Sequence, residues 1–260
     1  MSKLAFIFPG QGAQKAGMGK DFYENSEAAR SFFDQAQKIL DFDLKEMCFG
    51  EHEELNLTEY TQPCMVSVCL AIVQELKKRG INPDITAGLS LGEYAAVAAA
   101  GGMNELDAIK LVRRRGILMQ STVPAGEGAM AAVLGLDAKK IEEILESFEN
   151  VWIANYNCPG QIVITGLTNE VQQASLALKE AGAKRVVELK VSGPFHSLLL
   201  KPAGEALLKE MESMAFSPLQ VPYVANATAE IVTDSKKIST FFVKRNLFFC
   251  SLAAKYRDNA

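Results

Sequence analysis

A chain of 260 residues, 48% hydrophobic and 22% charged, is long enough for one large domain or for a large and a small one. Its 27 basic and 31 acidic side chains leave a net charge of −4, which argues against a nucleic-acid partner, because such proteins carry a basic patch or stripe. The longest apolar stretch, residues 94–103, is too short and glycine-broken to span a membrane, and the run after Lys3 is too short for a secretory signal, so a cytoplasmic, non-membrane protein is expected.

The elements follow in chain order. "LAFIF" reads as a strand buried on both faces, as in a parallel sheet. "SEAARSFFDQAQKIL" reads as a helix with Ser26 as N-cap, and "TEYTQPCMVSVCLAIVQELKKRG" as another, entered near Pro63 and closed by basic residues and Gly80. "ITAGL" is a second buried strand, and "NELDAIKLVRRRGILMQ" a helix capped by Asn104. The segment "VPAGEGAM" marks a boundary. Beyond it, "AMAAVLGL", "DAKKIEEILESF", "VWIANY", "QIVITG", "TNEVQQASLALKEAG" and "AKRVVELKV" give the order β-α-β-β-α-β, which is ferredoxin-like. This predicts an α/β, hydrolase-like body with a parallel sheet, formed by residues 1–125 and 194–260, and an inserted ferredoxin-like subdomain over 126–193. A helix ("KPAGEALLKEMESM"), a strand ("VPYVANAT") and a final helix near "SKKISTFFVKR" complete the body.

The five cysteines, Cys48, Cys64, Cys69, Cys158 and Cys250, are odd in number and contain no C-x-x-C pair, so free thiols in a reducing compartment are expected. With only two histidines, a multi-histidine metal site is not expected.

Between "DITA" and "EYAAVAAA" the chain reads Gly-x-Ser-x-Gly around Ser90. A strand that turns sharply into a helix exposes a serine hydroxyl beside the helix N-terminus, and the N–H of the next residue, Leu91, points where an oxyanion would form. The bland alternative is a glycine-rich connection with an incidental serine. A serine hydroxyl needs a base. His52 lies in an acidic loop and reads as a surface residue, whereas His196, in "VSGPFHSLLLKPAG", stands between a strand and a helix, where sites on α/β folds collect. A histidine there taken alone is more often structural; the serine elbow upstream makes it the candidate base. "FPGQGAQ" is neither a dinucleotide fingerprint, because Lys15 stands where a third glycine belongs, nor a P-loop. Such a loop is either a plain turn or the source of a second oxyanion donor, the N–H of Gln11. On the helix from Asn104, Ala108, Val112 and Met119 share one stripe, and Arg115 falls within it while Arg114 points to the polar side. Arg115 is then an internal salt-bridge partner, a snorkelling surface arginine, or a receptor for a substrate carboxylate, since an unpaired arginine facing the core is costly.

Taken together, "FPGQGAQKAGMGKDFY", "TEYTQPC", "GLSLGEYAA", "RRRGILMQ", "EGAMAAVLGL", "NYNCPGQIVITG" and "GPFHS", in this order over residues 1–243, resemble the malonyl-CoA:acyl-carrier-protein transacylases, a branch of the acyltransferase family that also serves polyketide synthases. The resemblance implies that Ser90 carries the acyl group, His196 is its base, the backbone amides of Gln11 and Leu91 form the oxyanion hole, and Arg115 holds the malonyl carboxylate. It places Asn157 and Gln161 near the substrate cleft and associates Phe195 with malonyl rather than methylmalonyl selectivity. It further implies a ping-pong exchange between malonyl-CoA and the phosphopantetheine thiol of acyl carrier protein in fatty acid biosynthesis, no metal or redox cofactor, and a monomer.

Two departures stand out. Leu89 occupies a position where the family mostly has histidine. After Val243 the chain leaves the family pattern, with Arg245 where a glutamine is expected, which implies reduced stability or activity. Three other readings stay open: a trans-acting polyketide acyltransferase, a serine thioesterase or hydrolase, and an inactive carrier-binding protein.

Overall fold

The computed structural model describes residues 3–124, 126–189, 191, 193–240, 242 and 250–251. The chain divides into two compact units, one made of Met1–Leu118, Leu207–Ala225 and Glu230–Thr240, the other of Met119–Ala206, Asn226–Ala229 and Phe241–Ala260.

The first unit is an α/β body. Strands β1 (Ala5–Phe8) and β2 (Ile85–Gly88) run parallel, with Phe8 opposite Gly88. Two short strands from later in the chain, β7 (Tyr223–Val224) and β8 (Ile231–Val232), extend the sheet to the order β1-β2-β7-β8, with β7 parallel to β2. Between β1 and β2 lie α1 (Lys20–Asn25), α2 (Glu27–Gln37), α3 (Leu44–Phe49) and α4 (Thr58–Lys78). Ser26 caps α2 as the sequence suggests, accepting from the Ala29 N–H, and it also donates its hydroxyl to Glu75 on α4. Helix α5 (Gly92–Ala99) is buried at every position, which its run of alanines allows by letting neighbouring backbones come close.

Helix α4 starts at Thr58, five residues before the proline at which the sequence reading places its entry. Pro63 therefore sits inside the helix and cannot donate to the carbonyl of Glu59, one turn back. Arg113, on α6 (Glu105–Thr122), replaces the missing donor: its Nη1 reaches the Glu59 carbonyl at 2.8 Å. The same guanidinium holds both carboxylate oxygens of Asp41 at 2.9 Å and lies over the rings of Phe42 and Tyr60. One turn on, Gly116 brings α6 against α4, where a Cβ would stand 2.7 Å from the Glu59 Cα and 2.8 Å from the Thr58 carbonyl. The two helices are thus joined at a proline defect, an arginine and a glycine.

The second unit has a sheet in which β3 (Gly128–Leu134), β4 (Val151–Cys158), β5 (Gln161–Leu167) and β6 (Arg185–Glu188) stand in the order β6-β3-β5-β4, each antiparallel to its neighbour. With α7 (Ala138–Leu145) and α8 (Thr168–Glu180) as its crossover helices, this is the ferredoxin-like arrangement that the element order predicts. Its core joins Ala131, Val133, Ile153 and Ile164 of the sheet to Ile141, Leu145, Val171 and Leu178 of the helices. A two-residue strand, β9 (Cys250–Ser251), runs parallel to β4. Helix α9 (Lys201–Glu212) follows the histidine segment. Where the sequence suggests a final helix, Ser235–Lys237 forms a 3-10 turn capped by Asp234, and residues 238–240 and 242 are α-helical. Arg245 and the divergent stretch around it lie outside the described residues, except for β9.

Among the described residues, no helix is long and apolar enough to cross a membrane.

Candidate active site

In the first unit the elbow is built from backbone against backbone. A Cβ on Gly88 would stand 2.1 Å from the carbonyl carbon of Gly92, and one on Gly92 would stand 2.4 Å from the carbonyl oxygen of Phe8. Both positions therefore exclude every side chain. Between them Ser90 takes φ 50°, in the left-handed region that costs a non-glycine residue about 1–3 kcal/mol. The elbow is tied to β1 by the Leu89 N–H, which donates to the Phe8 carbonyl at 3.1 Å, and it closes with Gly92 N–H to Leu89 carbonyl at 2.9 Å. The Ser90 side chain is half-buried at the head of α5. The N–H of Leu91 belongs to the first turn of that helix, where amides have no carbonyl partner in their own helix.

The loop after β1 packs on this elbow. A Cβ on Gly10 would meet the Leu89 carbonyl oxygen at 2.9 Å, so only glycine lets the two turns touch. Gln11 follows directly. Its side chain is held by α4: Nε2 donates to the Thr58 hydroxyl at 3.1 Å, and Oε1 accepts from Gln62 at 3.4 Å. Further along, Gln14 accepts from the Gly12 N–H and donates to Asn56.

Arg115 is 3% exposed, as its place on the apolar stripe predicts, and its guanidinium lies 5.7 Å from the ring centre of Tyr94 on α5. A cation over an aromatic face is attracted by the ring quadrupole. Arg114 is turned outward and pairs with Glu210 at 3.0 Å. Ser90, Leu91, Gln11 and Arg115 are therefore all arranged around α5 and the loops that feed it.

In the second unit His196 also has a left-handed backbone, φ 61°. Among the described residues only Ser90, His196 and Ala229 do so without being glycine. Pro194 anchors the turn by filling the space that a Cβ on Gly128 would need, 2.2 Å from its Cδ. Phe195 is buried, its N–H donates to the Gly193 carbonyl, and the Ser197 hydroxyl closes on the Pro194 carbonyl at 2.7 Å. His196 itself is half-buried. Cys158 and Gln161 flank the two-residue turn Pro159-Gly160 between β4 and β5, with Asn157 next to last in β4, and Gly160 supplies the positive φ of 79° that this turn requires. Gln161 Oε1 accepts from the Cys158 thiol at 3.7 Å.

The thiols offer no rival nucleophile in the core. Burial, then a hydrogen bond with Cys48, pushes the Cys64 thiol well above its ordinary range, and burial pushes Cys69 up to about 12. Among the described residues no group of three or more His, Cys, Asp or Glu side chains is placed to hold a metal ion.

Sequence reasoning passed over Thr58 and Gln62. Both lie in "TEYTQPC", and their signal was a cluster of uncharged polar side chains, Thr58, Thr61 and Gln62, at the start of a helix that continues with the apolar run "CMVSVCLAIV".

Residues 5–257 match the model of the acyl transferase domain family. A malonyl CoA-acyl carrier protein transacylase of Bacillus subtilis is 45% identical over 250 residues, which cover 94% of this chain and 79% of that protein. The crystal structure of an acyl carrier protein S-malonyltransferase from Vibrio cholerae superposes with a TM-score of 0.93 at 38% identity, covering 99% of this chain and 86% of that one. A malonyl-transacylase solved in complex with its type II PKS acyl-carrier protein superposes with a TM-score of 0.92 at 37% identity, covering 96% and 82%. The serine elbow, the buried arginine and the two-unit fold thus occur together in a chain that belongs to the acyl transferase domain family, among its malonyl-CoA–acyl-carrier-protein transacylases.

Proposed function

We propose that this protein moves a malonyl group from malonyl-CoA to the phosphopantetheine thiol of acyl carrier protein, in fatty acid biosynthesis, through an ester on Ser90. The observation that carries the site assignment is the shared backbone state of Ser90 and His196, two of three non-glycine residues with left-handed φ among those described. Strain of this kind persists where the surrounding structure imposes it, and it concentrates at functional sites.

The steps follow from ordinary acyl chemistry. His196 takes the Ser90 proton as the hydroxyl oxygen attacks the thioester carbonyl of malonyl-CoA. The backbone N–H groups of Gln11 and Leu91 donate to the carbonyl oxygen as it becomes an oxyanion. Collapse of that intermediate expels CoA thiolate, which receives the proton from His196. The carrier thiol then attacks the malonyl ester, with His196 again taking the proton and returning it to Ser90. Over both half-reactions one thioester is exchanged for another, so the chemistry calls for no metal, redox cofactor or energy source. Arg115 pairs with the free malonyl carboxylate and so fixes the acyl group for attack. Asn157 and Gln161 contact the substrate, and Phe195 limits the bulk accepted beside the acyl group. The protein works as a monomer in the cytoplasm.

Intact-mass analysis after incubation with malonyl-CoA tests this reading. A malonyl increment is expected on the wild type and none on Ser90→Ala. His196→Ala is expected to slow acylation by about 10²–10⁴-fold. Arg115→Ala is expected to weaken malonyl transfer by about 2–5 kcal/mol and to narrow the preference for malonyl-CoA over acetyl-CoA. An increment that survives Ser90→Ala overturns the assignment, and rapid release of free malonate without carrier protein makes the protein a hydrolase.

A further inference from the structure

We propose that Thr58 is a positioning residue for acyl transfer, its hydroxyl fixing the Gln11 side chain and through it the backbone N–H of Gln11. The proposal rests on the reading of Gln11 as an oxyanion donor.

An oxyanion donor is useful only if it is already in place, about 2.7–3.1 Å from where the charge will form. The backbone around Gln11 is held on its Gly10 side, against the Leu89 carbonyl, but not on its Gly12 side. Gln11 stands between Gly10 and Gly12, and Gly12 has φ 109° with nothing within 4 Å of where its Cβ would be. The loop therefore needs an external anchor, and the Gln11 side chain supplies one. Its amide group is gripped at both ends from α4, by the Thr58 hydroxyl at 3.1 Å and the Gln62 amide at 3.4 Å. Thr58 and Gln62 are 1% and 0% exposed and Gln11 is half-buried, so both bonds are partly shielded from competing water.

Thr58 is also an unusual way to begin a helix. The cap position holds Leu57, with no side-chain cap, while the hydroxyl one residue later accepts from Gln11. Small polar residues at helix starts ordinarily serve the helix's own amides. Here Thr58 ties an outside loop to the helix.

The anchor is rigid because α4 is itself fixed to the helix that carries Arg115. Gly116 lies on the Thr58 carbonyl and the Glu59 Cα, and Arg113 holds the Glu59 carbonyl that Pro63 leaves without a donor. The oxyanion loop and the helix bearing the candidate carboxylate receptor thus share one fixed point, the first turn of α4. Loss of the Thr58 hydroxyl alone would free the Gln11 N–H from its place beside the reacting carbonyl, while α6 stays held through the Thr58 backbone and Arg113.

The experiment is single-turnover acylation of Ser90 by malonyl-CoA, followed by intact mass, on the full chain. Thr58→Val keeps the shape and removes the acceptor. It is expected to slow acylation about tenfold, with the concentration of malonyl-CoA for half-maximal rate unchanged within about twofold, the pattern of an interaction that matters only in the transition state. Thr58→Ser keeps the hydroxyl and is expected to acylate within about twofold of wild type. Gln11→Leu, which also cuts the bond from Gln62, is expected to lose at least as much as Thr58→Val, and the double variant Thr58→Val/Gln11→Leu no more than Gln11→Leu alone, since the threonine acts only through that side chain. If Thr58→Val does not fold, Gln11→Leu carries the test. A wild-type rate in Thr58→Val or Gln11→Leu, failure of Thr58→Ser to restore the rate, or multiplication of the two losses overturns the relay while leaving the acyl-transfer reading intact. Absence of any Ser90 adduct on the wild-type protein overturns both.

Discussion

The turns that carry Ser90 and His196 arrive at nearly the same backbone state, φ 50° and φ 61°, and are held there by different parts of the chain. At Ser90 the pressure is main chain on main chain: Gly88 against Gly92, Gly92 against Phe8, Gly10 against Leu89. At His196 it comes from side chains: the Pro194 ring on Gly128, the buried ring of Phe195, and the Ser197 hydroxyl on the Pro194 carbonyl. Backbone contacts admit one residue type and leave a spaced glycine pattern in the sequence. Side-chain contacts admit several solutions and leave a weaker trace. The comparison explains why the serine could be singled out from five residues, whereas the histidine needed the serine upstream to be believed.

The elbow should therefore be the harder of the two to perturb without losing the fold. Gly88→Ala places a methyl 2.1 Å from the backbone of Gly92, which has no flexible end to move aside. Destabilisation on the order of 3 kcal/mol or more is expected, read as a lower urea midpoint or as loss of soluble protein. Gly182→Ala is the control. That residue has φ 104° but nothing within 4 Å of its Cβ position, so only the conformational cost of about 1–2 kcal/mol applies. Equal losses in the two variants would mean that the close approach of Gly88 to Gly92 costs no more than an ordinary unfavourable φ.

The histidine turn should bend sooner than it breaks. In Gly128→Ala the added methyl meets the Pro194 ring at 2.2 Å, so the ring or the strand must give way. A stability loss of about 1–3 kcal/mol is expected. Acylation of Ser90 is expected to fall by more than that loss accounts for, about tenfold or more at a temperature where the variant remains folded, because small misplacements of a catalytic group are costly. A variant with wild-type acylation would show that Pro194 packing does not set the histidine.

How much could be read in advance follows the same division. The caps Ser26 and Asn104, the buried Arg115 and the β-α-β-β-α-β order all depend on local spacing, and all were legible. The stretch "TEYTQPC…" begins where α4 begins, but its entry lies at Thr58 and not near Pro63; the donor that the proline lacks comes from Arg113, a residue 50 positions later that no local pattern connects to it. Arg114, expected on the solvated side, is there, but its partner Glu210 lies beyond the inserted unit in sequence. Thr58 and Gln62 went unnoticed for the same reason: their roles exist only once the Gln11 loop has folded back onto α4.

The smallest effect that separates the two units is their response to acid. In the first, hydrogen bonds from Arg113 hold the Asp41 carboxyl below its ordinary range, against partial burial. There too the Ser26 hydroxyl, followed by Arg79, lowers Glu75. In the second, the side-chain amide and backbone N–H of Asn150 lower Glu170. Each folded value lies below its unfolded one, so each contribution is complete above the ordinary carboxylate range of about pH 4 and is lost as pH falls through the folded value. The urea midpoint is expected to be level from about pH 7 to pH 5 and to drop below about pH 4. Asp41 is largely exposed, so its share is below about 1 kcal/mol. Because two of the three carboxylates belong to the first unit, Asp41→Asn combined with Glu75→Gln should flatten the acid limb more than Glu170→Gln does. Equal flattening by the two would place the acid sensitivity in carboxylates common to neither unit's network.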